Sequence, residues 1–194
     1  MIPVIAYAFD QFQTLDFFGP VDVLGSFPEF PVSFYSERGG LIKSAQGVPL
    51  LTRPVSEAPE KGIFFLPGGM GTRPLVHQPD SLAVITRQVE RCCWCLSVCT
   101  GSAVLAKCGV LDGKKATTNK RAFDWVRENG PLVNWERHSR WSVDGKFYTS
   151  SGVSAGIDMA LGFVSDRFGR DRALETACRM EYLWHENRFD DSFA

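Results

Sequence analysis

The segment Trp94-Cys95-Leu96-Ser97-Val98-Cys99-Thr100-Gly101-Ser102-Ala103 constrains this chain more than any other. An apolar run ends in a cysteine, and a Thr-Gly-Ser cluster then opens an amphipathic stretch reaching Val110. That pattern predicts a buried strand, a sharp turn and a helix, with the Cys99 thiol at the turn. The unpaired N–H groups and positive dipole end of such a helix favour a thiolate. The same arrangement is the nucleophile elbow, a strained strand-to-helix turn that projects a reactive side chain above a parallel sheet. Of the six cysteines, only Cys99 has this setting.

The rest of the chain supplies the sheet that an elbow needs. Near-continuous apolar runs at Val4–Phe9, Ile63–Leu66 and Trp94–Val98 read as strands covered on both faces, with a further strand at Val32–Ser36. Helical periodicity runs over Val21–Phe27, Ser81–Arg91, Gly101–Val110, Ala122–Asn129, Ser154–Arg167 and Asp171–Leu183. Gly19-Pro20 marks the start of the first, since proline suits an early helical position. Leu41 to Leu51 reads as a small hairpin or edge strands around Gly47-Val48-Pro49. Trp135–Trp141 and Lys146–Ser150 read as a second hairpin on the Asp144-Gly145 turn. Alternating strands and helices predict an α/β fold: a three-layer sandwich with a mostly parallel sheet and right-handed crossovers. At 194 residues, with 44% hydrophobic content and no internal repeat or linker, residues 1–194 are expected to form one domain.

Composition narrows the function classes. A net charge of −1 offers no general attraction to nucleic acid or anionic lipid. Lys114-Lys115 and Lys120-Arg121 read as a solvated loop face. The N-terminal residues lack a basic n-region and read as a first strand rather than a signal peptide. No stretch reaches the roughly 18 apolar residues of a membrane span. A cytoplasmic location is the expectation. Cys92, Cys93, Cys95 and Cys99 are too crowded for a disulfide framework and have no second Cys/His pair for zinc, so neither metal nor cofactor is expected. Cys95, Cys108 and Cys178 read as small apolar core residues.

In open α/β sheets, sites gather at the carboxyl ends of the strands. Three loops there carry chemistry. Gln13-Thr14-Leu15-Asp16-Phe17-Phe18 places a carboxylate after the first strand. Pro67-Gly68-Gly69-Met70-Gly71 lets backbone N–H groups approach a reacting atom, with Gly68 and Gly69 as substrate or oxyanion contacts. The third loop is the Cys99 elbow. Their convergence favours Asp16 as a site residue over a solvated loop carboxylate or a helix-entry cap, with Met70, Phe17 and Phe18 as candidates for an apolar wall or plain core.

The Pro-Gly-Gly loop and the Ser-Val-Cys-Thr-Gly-Ser elbow together resemble the ThiJ/PfpI superfamily, which shares the class I glutamine amidotransferase-like fold. Leu15-Asp16 with Gly19-Pro20, Cys99-Thr100-Gly101, Ala116-Thr117-Thr118 and Gly152-Val153-Ser154-Ala155-Gly156-Ile157-Asp158 resemble its isonitrile hydratase branch. The resemblance implies Cys99, Thr100 and Asp16 as catalytic residues, a small-molecule substrate and a homodimer. Many relatives place a histidine where Asn119 stands here, so a Cys–His pair is hard to build. His77, His138 and His185 read as surface or structural residues. Three other readings compete: a Cys99 redox sensor acted on by an oxidant, a small-molecule sensing domain like the sensor half of AraC-type regulators, and another hydrolase or lyase. The length leaves no room for a helix-turn-helix, so no nucleic-acid partner is expected.

Overall fold

The computed structural model describes residues 1–194. Its strands are β1 (Val4–Tyr7), β2 (Val32–Ser36), β3 (Gly40–Lys43), β4 (Pro49–Pro54), β5 (Ile63–Leu66), β6 (Trp94–Val98), β7 (Lys115–Ala116), β8 (Asn134–Trp135), β9 (Trp141–Asp144) and β10 (Phe147–Ser150). Its helices are α1 (Thr14–Gly25), α2 (Thr72–Leu75), α3 (Pro79–Arg91), α4 (Gly101–Lys107), α5 (Phe123–Asn129), α6 (Ala155–Phe168) and α7 (Arg170–Arg179). Eight strands form one sheet in the order β3-β4-β2-β1-β5-β6-β10-β9. The pairs from β4 through β2, β1, β5 and β6 to β10 are parallel, and the two edge strands β3 and β9 are antiparallel.

The side-chain alternation of a strand explains the layers. On β1, Val4 and Ala6 enter a core shared with α1, α6 and α7, whereas Ile5 and Tyr7 enter a second core shared with α3, α4 and α5. Every residue of β1 and β5 is buried, which is why these segments are apolar throughout. The expected α/β sandwich is the observed one. None of its helices is long and apolar enough to cross a membrane.

Four local expectations are corrected, one of them Cys178, which is exposed on α7 and not part of the core. The first helix begins at Thr14, so Pro20 lies inside it and Asp16 lies in its first turn. Gly19-Pro20 is a packing contact and not a start signal: a Cβ on Gly19 would stand 2.8 Å from Ile157, and Pro20 meets Gly156. The first arm of the second hairpin is β9, while Asn134–Trp135 pairs in parallel with β7 in a separate two-stranded sheet. Lys120 is not on a solvated face. It is buried, and its ammonium donates to Thr117 Oγ1 at 2.8 Å and to the Ser139 carbonyl at 2.6 Å.

Candidate active site

Cys99 connects β6 to α4 with φ +57°, a left-handed conformation that costs a non-glycine residue about 1–3 kcal/mol. Its surroundings hold it there. The Cys99 N–H donates to the Ser150 and Ser151 carbonyls at 3.2 and 3.1 Å. Its carbonyl accepts the Thr118 hydroxyl at 2.8 Å and the Ser102 hydroxyl at 3.0 Å. Close packing of glycine completes the elbow, because a Cβ on Gly101 would stand 2.7 Å from the Pro67 carbonyl. The strand-turn-helix geometry expected from the sequence is therefore present.

Gly68 is the point where the other candidates meet. A Cβ there would stand 2.6 Å from Thr100 N, 2.8 Å from Asp16 Oδ2 and 2.8 Å from Cys99 Cβ. Only a glycine lets the Pro-Gly-Gly loop pass between the acid and the thiol. The Gly68 N–H donates to Asp16 Oδ2 at 3.1 Å, and its carbonyl accepts the Gln13 N–H at 2.9 Å. The Gly69 N–H donates to Thr100 Oγ1 at 3.1 Å, which also lies 3.1 Å from the Thr72 hydroxyl. Asp16, Cys99, Thr100, Gly68 and Gly69 thus form one cluster. Both glycine amides, assigned above to substrate or oxyanion contacts, are bonded to site side chains in this structure.

The electrostatics also depart from the sequence reading. Asp16 is fully buried, and its Oδ1 has no hydrogen-bond partner. Burial raises its pKa to about 7, against the lowering effect of the Cys99 thiol and the Gly68 N–H. Burial also pushes the Cys99 thiol well up, and the charge of Asp16 adds to this, while the Thr100 N–H and hydroxyl pull it down. Burial and the Asp16 charge thus oppose the thiolate that the helix terminus favours. At 7% exposure, desolvation outweighs a helix of seven residues. The two groups resist carrying charge together, and a proton held between them is the cheaper state.

Asn119 stands beside this cluster without entering it. Its Oδ1 accepts the Ala122 N–H at 3.0 Å, and its amide packs against Gly152. No histidine reaches Cys99: His77 lines a cavity beside β1 and β2, the His138 carbonyl accepts the Asp191 N–H, and the His185 N–H donates to Asp158. That cavity, about 690 Å³, is not lined by Cys99, Phe17, Phe18 or Met70. Phe17 is plain core, and Met70 is exposed. No group of three His, Cys, Asp or Glu residues is placed to hold a metal. Arg73 follows the glycine loop and lies with its Cζ 3.4 Å from the Trp125 ring centre, a contact with no local signal in the sequence.

A parallel sheet with a left-handed cysteine at an elbow and a buried acid against it defines a class of α/β proteins with a thiol centre. Residues 3–166 match the DJ-1/PfpI family, and the chain belongs to it. It is 35% identical to isonitrile hydratase of Pseudomonas putida over 175 residues, which is 90% of this chain and 75% of that protein. It is 28% identical to the HTH-type transcriptional regulator CdhR of Pseudomonas aeruginosa, covering 86% of this chain but 51% of the regulator. Among solved structures, a ThiJ/PfpI family protein from Pseudomonas syringae superposes with a TM-score of 0.86 at 25% identity, over 93% of this chain and 75% of that one.

Proposed function

We propose that the Cys99 site hydrates isonitriles to N-formamides. The observation that carries this reading is the fully buried Asp16 carboxyl, one oxygen unpartnered, set across Gly68 from Cys99, where burial raises its pKa to about 7. An acid whose pKa lies near the working pH can both take and return a proton.

The step that such a pair supports starts from a neutral thiol and a carboxylate. Cys99 sulfur attacks the terminal carbon of R–N≡C as Asp16 accepts the thiol proton. Asp16 then delivers that proton to the same carbon, giving the thioimidate R–N=CH–S–Cys99. Water adds to this carbon, the C–S bond breaks, and R–NH–CHO leaves with the thiol restored. Thr100, whose N–H and hydroxyl both act on the sulfur, steadies the thiolate as it forms. Incubation with a small aliphatic isonitrile should yield formamide by NMR, and Cys99→Ala and Asp16→Asn should each abolish it. Wild-type protein that forms no formamide at millimolar isonitrile overturns the reading.

The similarity to CdhR favours a second reading, in which the same site binds or is modified by a small molecule without turnover. Saturable binding, or a stable Cys99 adduct with no released product, selects this alternative.

A further inference from the structure

We propose that Arg73, laid flat on Trp125 beside the Cys99 elbow, recognises a negatively charged group, a carboxylate above all, on the molecule that reaches Cys99. The inference rests on Cys99 as the reacting atom and does not depend on whether that molecule is an isonitrile.

Three observations carry it. The first is placement. Arg73 lies on α2, which is tied to the site by the Thr72 hydroxyl through its bonds to the Gly69 carbonyl at 2.7 Å and Thr100 Oγ1 at 3.1 Å. The Arg73 N–H donates to the Met70 carbonyl at 3.0 Å, which continues the same turn. The second is preorganisation. With Cζ 3.4 Å from the Trp125 ring centre, the guanidinium is stacked, and a stacked guanidinium keeps its N–H donors in the ring-parallel plane, free for a planar anion. The third is its lack of a partner. The half-buried Arg73 side chain forms no salt bridge and no hydrogen bond within the protein, unlike Arg140 or Arg170.

Burial lowers the basicity of Arg73, and the Cys99 sulfur opposes that shift once it is ionised. The site itself explains why an arginine is useful there. An anionic substrate approaching a pair that already holds one negative charge is repelled, and a fixed cation at the edge offsets that repulsion. A bidentate guanidinium–carboxylate contact would also orient the far end of the molecule, leaving its electrophilic end toward sulfur.

Alkylation tests this without requiring turnover. Wild type and Arg73→Gln are treated with iodoacetate or iodoacetamide, which differ in charge but little in shape. Labelling of the Cys99 peptide is followed by mass spectrometry, with the exposed Cys178 of the same chain as the reference for intrinsic reagent reactivity. The iodoacetate-to-iodoacetamide rate ratio at Cys99, divided by that at Cys178, should fall about tenfold in Arg73→Gln, as loss of a charged hydrogen bond predicts. Trp125→Ala, which frees the arginine without removing it, should lower the ratio part of the way. An unchanged ratio in Arg73→Gln overturns the proposal, as does a Cys99 that neither reagent reaches. A normal charge preference in a protein that makes no formamide would remove the hydratase reading and leave this one standing.

Discussion

Two aspartates are completely buried in this protein, on helices that pack against each other, and they are treated in opposite ways. Asp158 on α6 is fully partnered. Arg140 donates to its Oδ2 through Nε at 2.7 Å and lies at 2.6 Å through Nη2, while Oδ1 accepts the Tyr182 hydroxyl at 3.1 Å and the His185 N–H at 2.9 Å. With the Trp184 indole N–H on its carbonyl at 3.2 Å, Asp158 fastens the C-terminal segment to the body. Asp16 on α1 has one backbone N–H, one bare oxygen and a thiol for company. Burial pushes both carboxyls up, but Asp158 has a guanidinium to pull against it, and Asp16 does not. A fully bonded carboxylate holds structure together. A buried acid left short of partners keeps its proton exchangeable, which is what a site requires.

The comparison breaks most readily at Arg140. Removing one partner of a buried ion pair strands the other charge, so Arg140→Ala should destabilise the fold by about 3–5 kcal/mol. Urea denaturation at neutral pH measures this. A loss of under about 1 kcal/mol, the scale of an exposed pair, would show that Asp158 is no such anchor.

Asp16 predicts the opposite sign. Its folded-state pKa is raised to about 7, above the ~3.9 of an unfolded aspartate, so the native state binds more protons between those values. Its contribution to stability therefore falls as pH rises from about 4 to about 7 and is level above that. Asp16→Asn removes this dependence, and at pH 8 it should be more stable than wild type by on the order of 2–4 kcal/mol. The gap should close toward pH 4. A variant less stable than wild type at pH 8 would mean that the carboxylate has partners like those of Asp158.

How far this contrast was legible in the sequence differs between the two halves. The Ile63–Leu66 and Trp94–Val98 strands run between the residues expected, because strands buried on both faces leave near-continuous apolar runs between polar turns, and Val32–Ser36 also matches. The elbow was legible for the same reason, since a turn at Cys99 leaves few other conformations for Thr-Gly-Ser. The helical setting of Asp16 was not. Gly19-Pro20 carries the local signature of a helix start, yet here it provides the smooth surface on which α6 packs, a tertiary fact with no local signal. Nor does the spacing of Asp158, Arg140 and Tyr182 announce a network, because it joins residues from three separate stretches of chain. Arg73 and Trp125 meet across two short helices for the same reason. The protonation states needed burial, which outweighs the helix-terminus effect that the elbow alone suggests.

The central claim, that Asp16 and Cys99 share charge in one site, is tested most directly by titrating the Cys99 thiol. Ultraviolet absorbance of the thiolate, taken as the difference between each protein and its Cys99→Ala counterpart, isolates this cysteine in wild type and in Asp16→Asn. The carboxylate's charge holds the thiol up, so its loss should lower the Cys99 pKa by about one unit or more. An identical titration in the two proteins would contradict the account, because a carboxyl that does not move the thiol's ionisation cannot exchange a proton with it.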